Sequence, residues 1–103
     1  MRIANCFTKA KQENRAALGI FISAGDPDPQ TSLQILLGLP DQGVDFVELG
    51  MPFSDPMADG PVIQASSLRA LKAGMKLDRV IDMAKAFRDR HPDTPLILMG
   101  YYN

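Results

Sequence analysis

The amino-acid sequence predicts an α/β fold built on parallel strands, and three observations carry the prediction. Short apolar runs of strand length recur at residues 17–23, 45–49 and 96–99. Longer segments with apolar residues at helical spacing separate them. Glycine, proline and aspartate mark the changeovers. Strands that alternate with helices pair in parallel through right-handed crossovers.

Each element has its own warrant. Residues 2–14 open the chain as a helix, with Ile3, Cys6, Phe7 and Ala10 on one side and Lys9, Gln12 and Glu13 on the other. Residues 17–23 are short, apolar and bounded by turn residues, which favours a buried strand. Asp28 followed by Pro29 starts a helix: a carboxylate caps it, and the missing proline N–H costs nothing at the first position. Leu33, Leu36, Leu37 and Ile35 give that helix its apolar face, and Gly38 and Pro40 end it early. The second strand, 45–49, leads into a long loop over 50–60. Pro61 opens the next helix, with Ile63, Leu68 and Leu71 as core candidates and Gly74 as a left-handed closing residue. A further helix over 77–90 carries Leu77, Val80, Ile81, Ala84 and Phe87 on one stripe. Its basic end, Arg88, Arg90 and His91, suits the negative pole of the helix dipole. Pro92 and Pro95 then break the chain before the third strand, 96–99.

Three parallel strands are an awkward stopping point. A parallel sheet is normally covered on both faces, and an open edge invites further pairing. The expectation is therefore the N-terminal part of a (β/α)8 TIM barrel, about three βα units preceded by a helix. The complete fold takes about 250 residues. Residues 1–103 are read as one partial barrel domain without a second domain.

Composition narrows the function. The 103 residues are 46% hydrophobic and 22% charged, with a net charge of −1, which leaves no basic footprint for nucleic acid or an anionic membrane. No segment approaches the roughly 20 apolar residues of a membrane span, and the N-terminus lacks a secretory apolar run. The single cysteine, Cys6, cannot form an internal disulfide, so the reducing cytoplasm is the expected setting. It reads as a buried small residue. One Cys and one His cannot supply a structural zinc site, and no metal is expected. No glycine-rich phosphate loop occurs.

The residues able to do chemistry concentrate after the second strand. Glu48 sits between Val47 and Leu49 near a strand end, where active sites of α/β folds gather. Burial there costs several kcal/mol unless the carboxylate is paired or protonated. The plainer alternative is a strand-end carboxylate bonded to backbone. The loop that follows is stiffened by Pro52 and Pro56 and carries Asp55 and Asp59. Those aspartates either supply a second carboxylate near Glu48 or cap turns and the next helix. Asp26 reads as a turn carboxylate, and Glu13 as a solvated surface residue. Phe21 and Tyr101 lie at strand ends, as core aromatics or as walls of a flat apolar pocket. His91 reads as a helix-end cation, and the six methionines as core filler.

The run Glu48-Leu49-Gly50-Met51-Pro52-Phe53-Ser54-Asp55-Pro56-Met57-Ala58-Asp59-Gly60-Pro61, then Ile63-Gln64 and Arg69-Ala70-Leu71, closely resembles the tryptophan synthase alpha chain family. So do Ala24-Gly25-Asp26-Pro27 after the first strand, and Leu98-Met99 with Tyr101 and Asn103 after the third. The resemblance covers essentially the whole chain, in order.

This resemblance implies a barrel with an extra N-terminal helix and a lyase activity: reverse-aldol cleavage of indole-3-glycerol phosphate to indole and glyceraldehyde 3-phosphate, in tryptophan biosynthesis. It implies a beta-chain partner in an alpha2-beta2 heterotetramer. That partner joins indole to serine with pyridoxal phosphate, a cofactor held by the partner and not by this chain. Glu48 matches the glutamate that protonates indole C3 and then helps deprotonate the glycerol hydroxyl. A general acid at neutral pH has to be poised by its surroundings, and an apolar strand offers desolvation. Asp59 matches the aspartate that hydrogen-bonds the indole N–H and, ionised, stabilises positive charge on the ring. Phe21, Met99 and Tyr101 match indole-pocket positions. Pro52 and Asp55 match the mobile loop that meets the beta chain.

Some family features lie outside this sequence. The substrate phosphate is held in the family by loops after the last barrel strands, and a later loop closes over the substrate. Pro40 departs from the family pattern and is expected only to shorten its helix. Two other readings stand beside the lyase. The chain could be a non-catalytic barrel segment that docks to a beta chain through residues 52–61. An unrelated phosphate-binding aldolase or epimerase barrel fits the βα order but not the specific loop, and a Schiff-base aldolase would need a strand-end lysine.

Overall fold

The computed structural model describes residues 1–54 and 58–101. Helix α1 (Arg2–Gln12) precedes strand β1 (Gly19–Ser23), helix α2 (Pro29–Gly38), a 3-10 turn at Pro40–Gln42 and strand β2 (Phe46–Gly50). Helices α3 (Pro61–Lys72) and α4 (Leu77–Arg90) then lead to strand β3 (Leu96–Met99). The strands form one parallel sheet in the order β1-β2-β3. This is the predicted alternation, with α3 and α4 both falling between β2 and β3.

Several expected local devices are present. The Asp28 carboxylate accepts the Thr31 N–H and the Thr31 hydroxyl, each at 2.9 Å, so it caps α2 ahead of Pro29. Those bonds favour the charged form and hold the carboxyl below its ordinary range. Gly74 takes the left-handed conformation (φ 93°) that closes α3. Arg88 donates to the carbonyls of His91, Pro92 and Thr94, satisfying the end of α4. His91 does more than meet a dipole: its Nε2 donates to the Leu37 carbonyl at 2.7 Å, tying α4 to α2.

The parallel register decides which side chains share a face. Glu48 pairs with Phe21 on β1 and Ile97 on β3, while Leu49 pairs with Ile22 and Leu98. Alternation then sends Ile20, Ile22, Val47, Leu49 and Leu96 to the helix side. There they meet Leu36, Val80, Met83 and Phe87 in the core. Val47, Leu49, Leu36, Val80 and Phe87 are fully buried, and each contributes roughly 1.5–3 kcal/mol. The opposite face carries Phe21, Phe46, Glu48, Ile97 and Met99, all half-buried or exposed. In a closed barrel this is the inner face.

Three sequence expectations change here. Leu68, Leu77 and Ile81 are exposed, and Met83 takes the place of Ile81 in the α4 stripe. The helix α3 buries Ser66, Ser67 and Ala70 instead, because it lies close against the end of β1, where only small side chains fit. On α1, only Ala10 is buried. Its Phe7 ring packs against Phe46 of β2 at 5.8 Å, and Arg2 donates to the Pro92 carbonyl at 2.7 Å. The helix thus crosses the N-terminal ends of the strands. Cys6 is half-buried there, with its thiol 3.6 Å from the Asp45 carbonyl, and burial pushes it above its ordinary pKa.

Asp45 fastens this end. Its carboxylate accepts two bonds from Arg15, at 2.8 and 2.9 Å, and one from the Leu18 N–H at 2.7 Å. The Arg15 guanidinium and that N–H hold the Asp45 carboxyl down at about 2.

Candidate active site

Past the C-terminal ends of the three strands lies a cavity of about 240 Å³. Its apolar walls are Phe21, Met51, Ile63, Met99 and Tyr101, and Ser23, Asp59 and Ser67 supply the polar groups. A largely apolar cleft with a few convergent polar groups suits a small, mostly hydrophobic ligand.

The Phe21 ring reaches into this space because Gly50 on the neighbouring strand leaves room. A Cβ on Gly50 would stand 2.5 Å from Phe21 Cζ. Beyond β3, the Tyr101 hydroxyl accepts the Ala58 N–H at 3.0 Å, and its ring packs against Phe53 at 5.4 Å. Residues following β3 therefore hold the segment that follows β2. The Met51 N–H donates to the Met99 carbonyl at 2.7 Å and extends that pairing past the strand ends.

Asp59 is half-buried and lines the cavity. It does not cap α3, whose N-cap is Gly60 without a side-chain bond. Its backbone carbonyl accepts the Gln64 side-chain amide at 2.7 Å. Glu48 stands on the same face as Phe21, two register pairs below the Ser23–Gly50 pair that the cavity touches. It is half-buried and is not among the cavity walls. The apolar neighbours that suggested a desolvated carboxylate, Val47 and Leu49, point to the helix side and do not surround it. What adjoins Glu48 on its own face is Phe21 and Ile97.

Of the residues singled out in the sequence, Asp59, Phe21, Met99 and Tyr101 thus share one cavity, and Glu48 lies beside Phe21 beneath it. Pro52 is half-buried in the loop and does not line the cavity. Asp55 lies outside the described residues. Asp26 proves to be more than a turn carboxylate: it accepts from Arg69 Nε at 2.8 Å and from a second guanidinium nitrogen at 3.1 Å. That pairing raises Arg69 above its ordinary range. Sequence reasoning missed Ser23, Ser66 and Ser67. The Ser23 and Ser66 hydroxyls meet at 2.6 Å, and Ser66 donates to the Ile63 carbonyl, so Ser23 donates to Ser66. The usable signal was Ser66 and Arg69, three positions apart and so on one side of α3. Among the described residues, no cluster of His, Cys, Asp or Glu could hold a metal ion. Among the described residues, no helix is long and apolar enough to cross a membrane.

Fold and cavity together define a sector of a parallel β/α barrel with an apolar-walled cavity, lined also by Asp59, at the C-terminal strand ends, where such barrels carry their chemistry. The family model described as tryptophan synthase alpha chain matches residues 7–103. Among solved structures, one from Aquifex aeolicus VF5 is 41% identical with a TM-score of 0.94, over 99% of this chain and 40% of that one. Tryptophan synthase subunit alpha from Legionella pneumophila is 44% identical with a TM-score of 0.90, over 97% of this chain and 38% of that one. Tryptophan synthase from M. tuberculosis in its open form is 30% identical with a TM-score of 0.91, over 99% and 40%. The chain belongs to the tryptophan synthase alpha chain family. It spans about two fifths of the length of the structures it matches.

Proposed function

We propose that this chain supplies the acid-bearing sector of an indole-3-glycerol phosphate lyase. The observation that carries the reading is the gathering of Asp59, Phe21, Met99 and Tyr101 around one cavity, with Glu48 in register beside Phe21. The aromatic and methionine walls offer a slot for a planar indole ring. In this reading Glu48 protonates C3 of that ring and makes it an electron-poor leaving group. The Asp59 carboxylate accepts the ring N–H and stabilises the positive charge that protonation creates. Loss of a proton from the adjacent glycerol hydroxyl, taken by the Glu48 carboxylate, drives carbon–carbon cleavage. The bonding electrons return to the ring, indole leaves, and an aldehyde remains. The phosphate of the substrate would be held by strands beyond this chain.

The partner in this reading is a tryptophan synthase beta chain, docked through the loop that contains Pro52 and Asp55, with pyridoxal phosphate on the beta side. Support comes from family membership.

The reading is tested by grafting residues 1–103 in place of their counterpart in a related alpha chain, so that the remaining strands complete the barrel. The graft is expected to release indole from indole-3-glycerol phosphate. Asp59→Asn is expected to lower kcat by about 10²–10³-fold, the range for loss of one group that stabilises developing charge. An inactive graft that folds, or an Asp59→Asn graft with full turnover, contradicts it.

A further inference from the structure

Little apolar surface fixes α3, yet this helix carries Asp59 at its entrance. Its buried residues are Ser66, Ser67 and Ala70, while Val62 and Leu68 are exposed. Small side chains permit close approach but do not set a rotation or a height. Polar links do that here. Ser66 meets Ser23 at the end of β1, at 2.6 Å within the buried interior. One turn further on, Arg69 grips Asp26 through two parallel bonds, at 2.8 and 3.1 Å. A two-bonded guanidinium–carboxylate pair constrains orientation as well as distance. At the helix entrance, the Gln64 side chain reaches back to the Asp59 carbonyl at 2.7 Å.

We infer that Arg69 and Ser66, clamped to Asp26 and Ser23, are positioning residues that set where α3 begins and thereby aim Asp59 at the cavity. The inference rests on the lyase reading of Asp59 and deepens it. The clamp ties Asp59 to the strand that also carries Phe21, so the carboxylate and the ring wall are referenced to one rigid element. A shift of the helix by about 1 Å misplaces a reacting geometry enough to matter for rate. The Arg69 side chain is 56% exposed, so its pair with Asp26 adds little to global stability. Its effect is expected in kcat.

The test uses the completed barrel described above. Arg69→Met combined with Ser66→Ala is expected to lower kcat about tenfold, with KM changed less than threefold; the thermal midpoint falls with the lost buried Ser23–Ser66 bond, and Arg69→Met alone leaves it nearly unchanged. Arg69→Lys, which cannot form the two-bonded pair, should fall between this variant and the parent. The decisive comparison is made in an Asp59→Asn background, where the clamp substitutions should have no further effect on kcat, because the group they aim is already gone. An equal loss in both backgrounds overturns the clamp, since it would report general damage to the barrel. Full kcat in the doubly substituted graft overturns it as well. If that variant fails to fold, Arg69→Lys and Ser66→Ala are measured singly against the same background, with the same criteria. An Asp59→Asn graft that keeps full turnover overturns the clamp together with the lyase reading. Asp59→Asn losing activity while the clamp variants do not overturns the clamp alone.

Discussion

Gly50 lacks a side chain for a steric reason that bears on the cavity. Any Cβ there meets the Phe21 ring at 2.5 Å and the Ile22 carbonyl at 3.4 Å. Gly50→Ala is therefore expected to drive the ring from its place in the cavity wall. Overpacking of this kind costs about 1–3 kcal/mol, and substrate KM should rise; an unchanged KM in steady-state kinetics would show that the ring does not line the bound ligand. Asp45 gives a second residue-scale expectation. Its carboxyl is held at about 2 in the folded chain, against an ordinary 3.8. The folded state thus binds the proton less readily, and the stabilisation is fully present above pH 4 and lost as pH falls from about 4 towards 2. Asp28 acts in the same direction. The Asp45 carboxylate is 12% exposed and its Arg15 partner 37% exposed, so solvent screens the pair. Asp45→Asn should cost about 1 kcal/mol at pH 7, and less at pH 2. Urea midpoints of the completed barrel at both pH values check this, and an equal loss at both would refute the linkage.

At the scale of elements, Phe87 anchors α4 to the sheet and is fully buried. Phe87→Ala is expected to destabilise by about 3–5 kcal/mol, whereas Leu77→Ala, at an exposed position, should change stability by less than about 0.5 kcal/mol. Denaturant titration of the two variants separates the buried stripe from the exposed one. The contrast also shows what the sequence could convey. Strand positions and helix starts were legible because turn chemistry is local: Asp28 before Pro29 and Gly74 after α3 act on their own backbone. Which residues of α3 would be buried was not legible. Leu68 and Leu71 looked like core, but α3 lies where β1 ends, and a close approach there favours Ser66, Ser67 and Ala70. Burial of this kind is set by tertiary distance, which hydrophobic periodicity does not record. The Asp26–Arg69 and Asp45–Arg15 pairs escaped for the same reason, as each joins residues 30 or more positions apart.

At the scale of the molecule, one face of the sheet is packed and the other stands open. Helices α2 and α4 cover Val47 and Leu49, while Phe21, Glu48 and Ile97 share the opposite face in one register row. The acid at position 48 was legible as an anomaly, a carboxylate within an apolar strand. Its surroundings were misjudged, because alternation separates it from the very residues that flank it. Its cofacial neighbours are Phe21 and Ile97, and the strand by itself leaves it half-buried. Asp59, Phe21, Met99 and Tyr101 line one cavity past the strand ends. The measurement that bears most directly on this arrangement is single-turnover indole release by the completed barrel carrying Glu48→Gln. Removal of the proton donor is expected to lower the chemical step by at least about 10²-fold, with substrate still bound and the fold unchanged by circular dichroism. Indole release at the rate of the unsubstituted barrel would contradict the assignment of Glu48 as the acid.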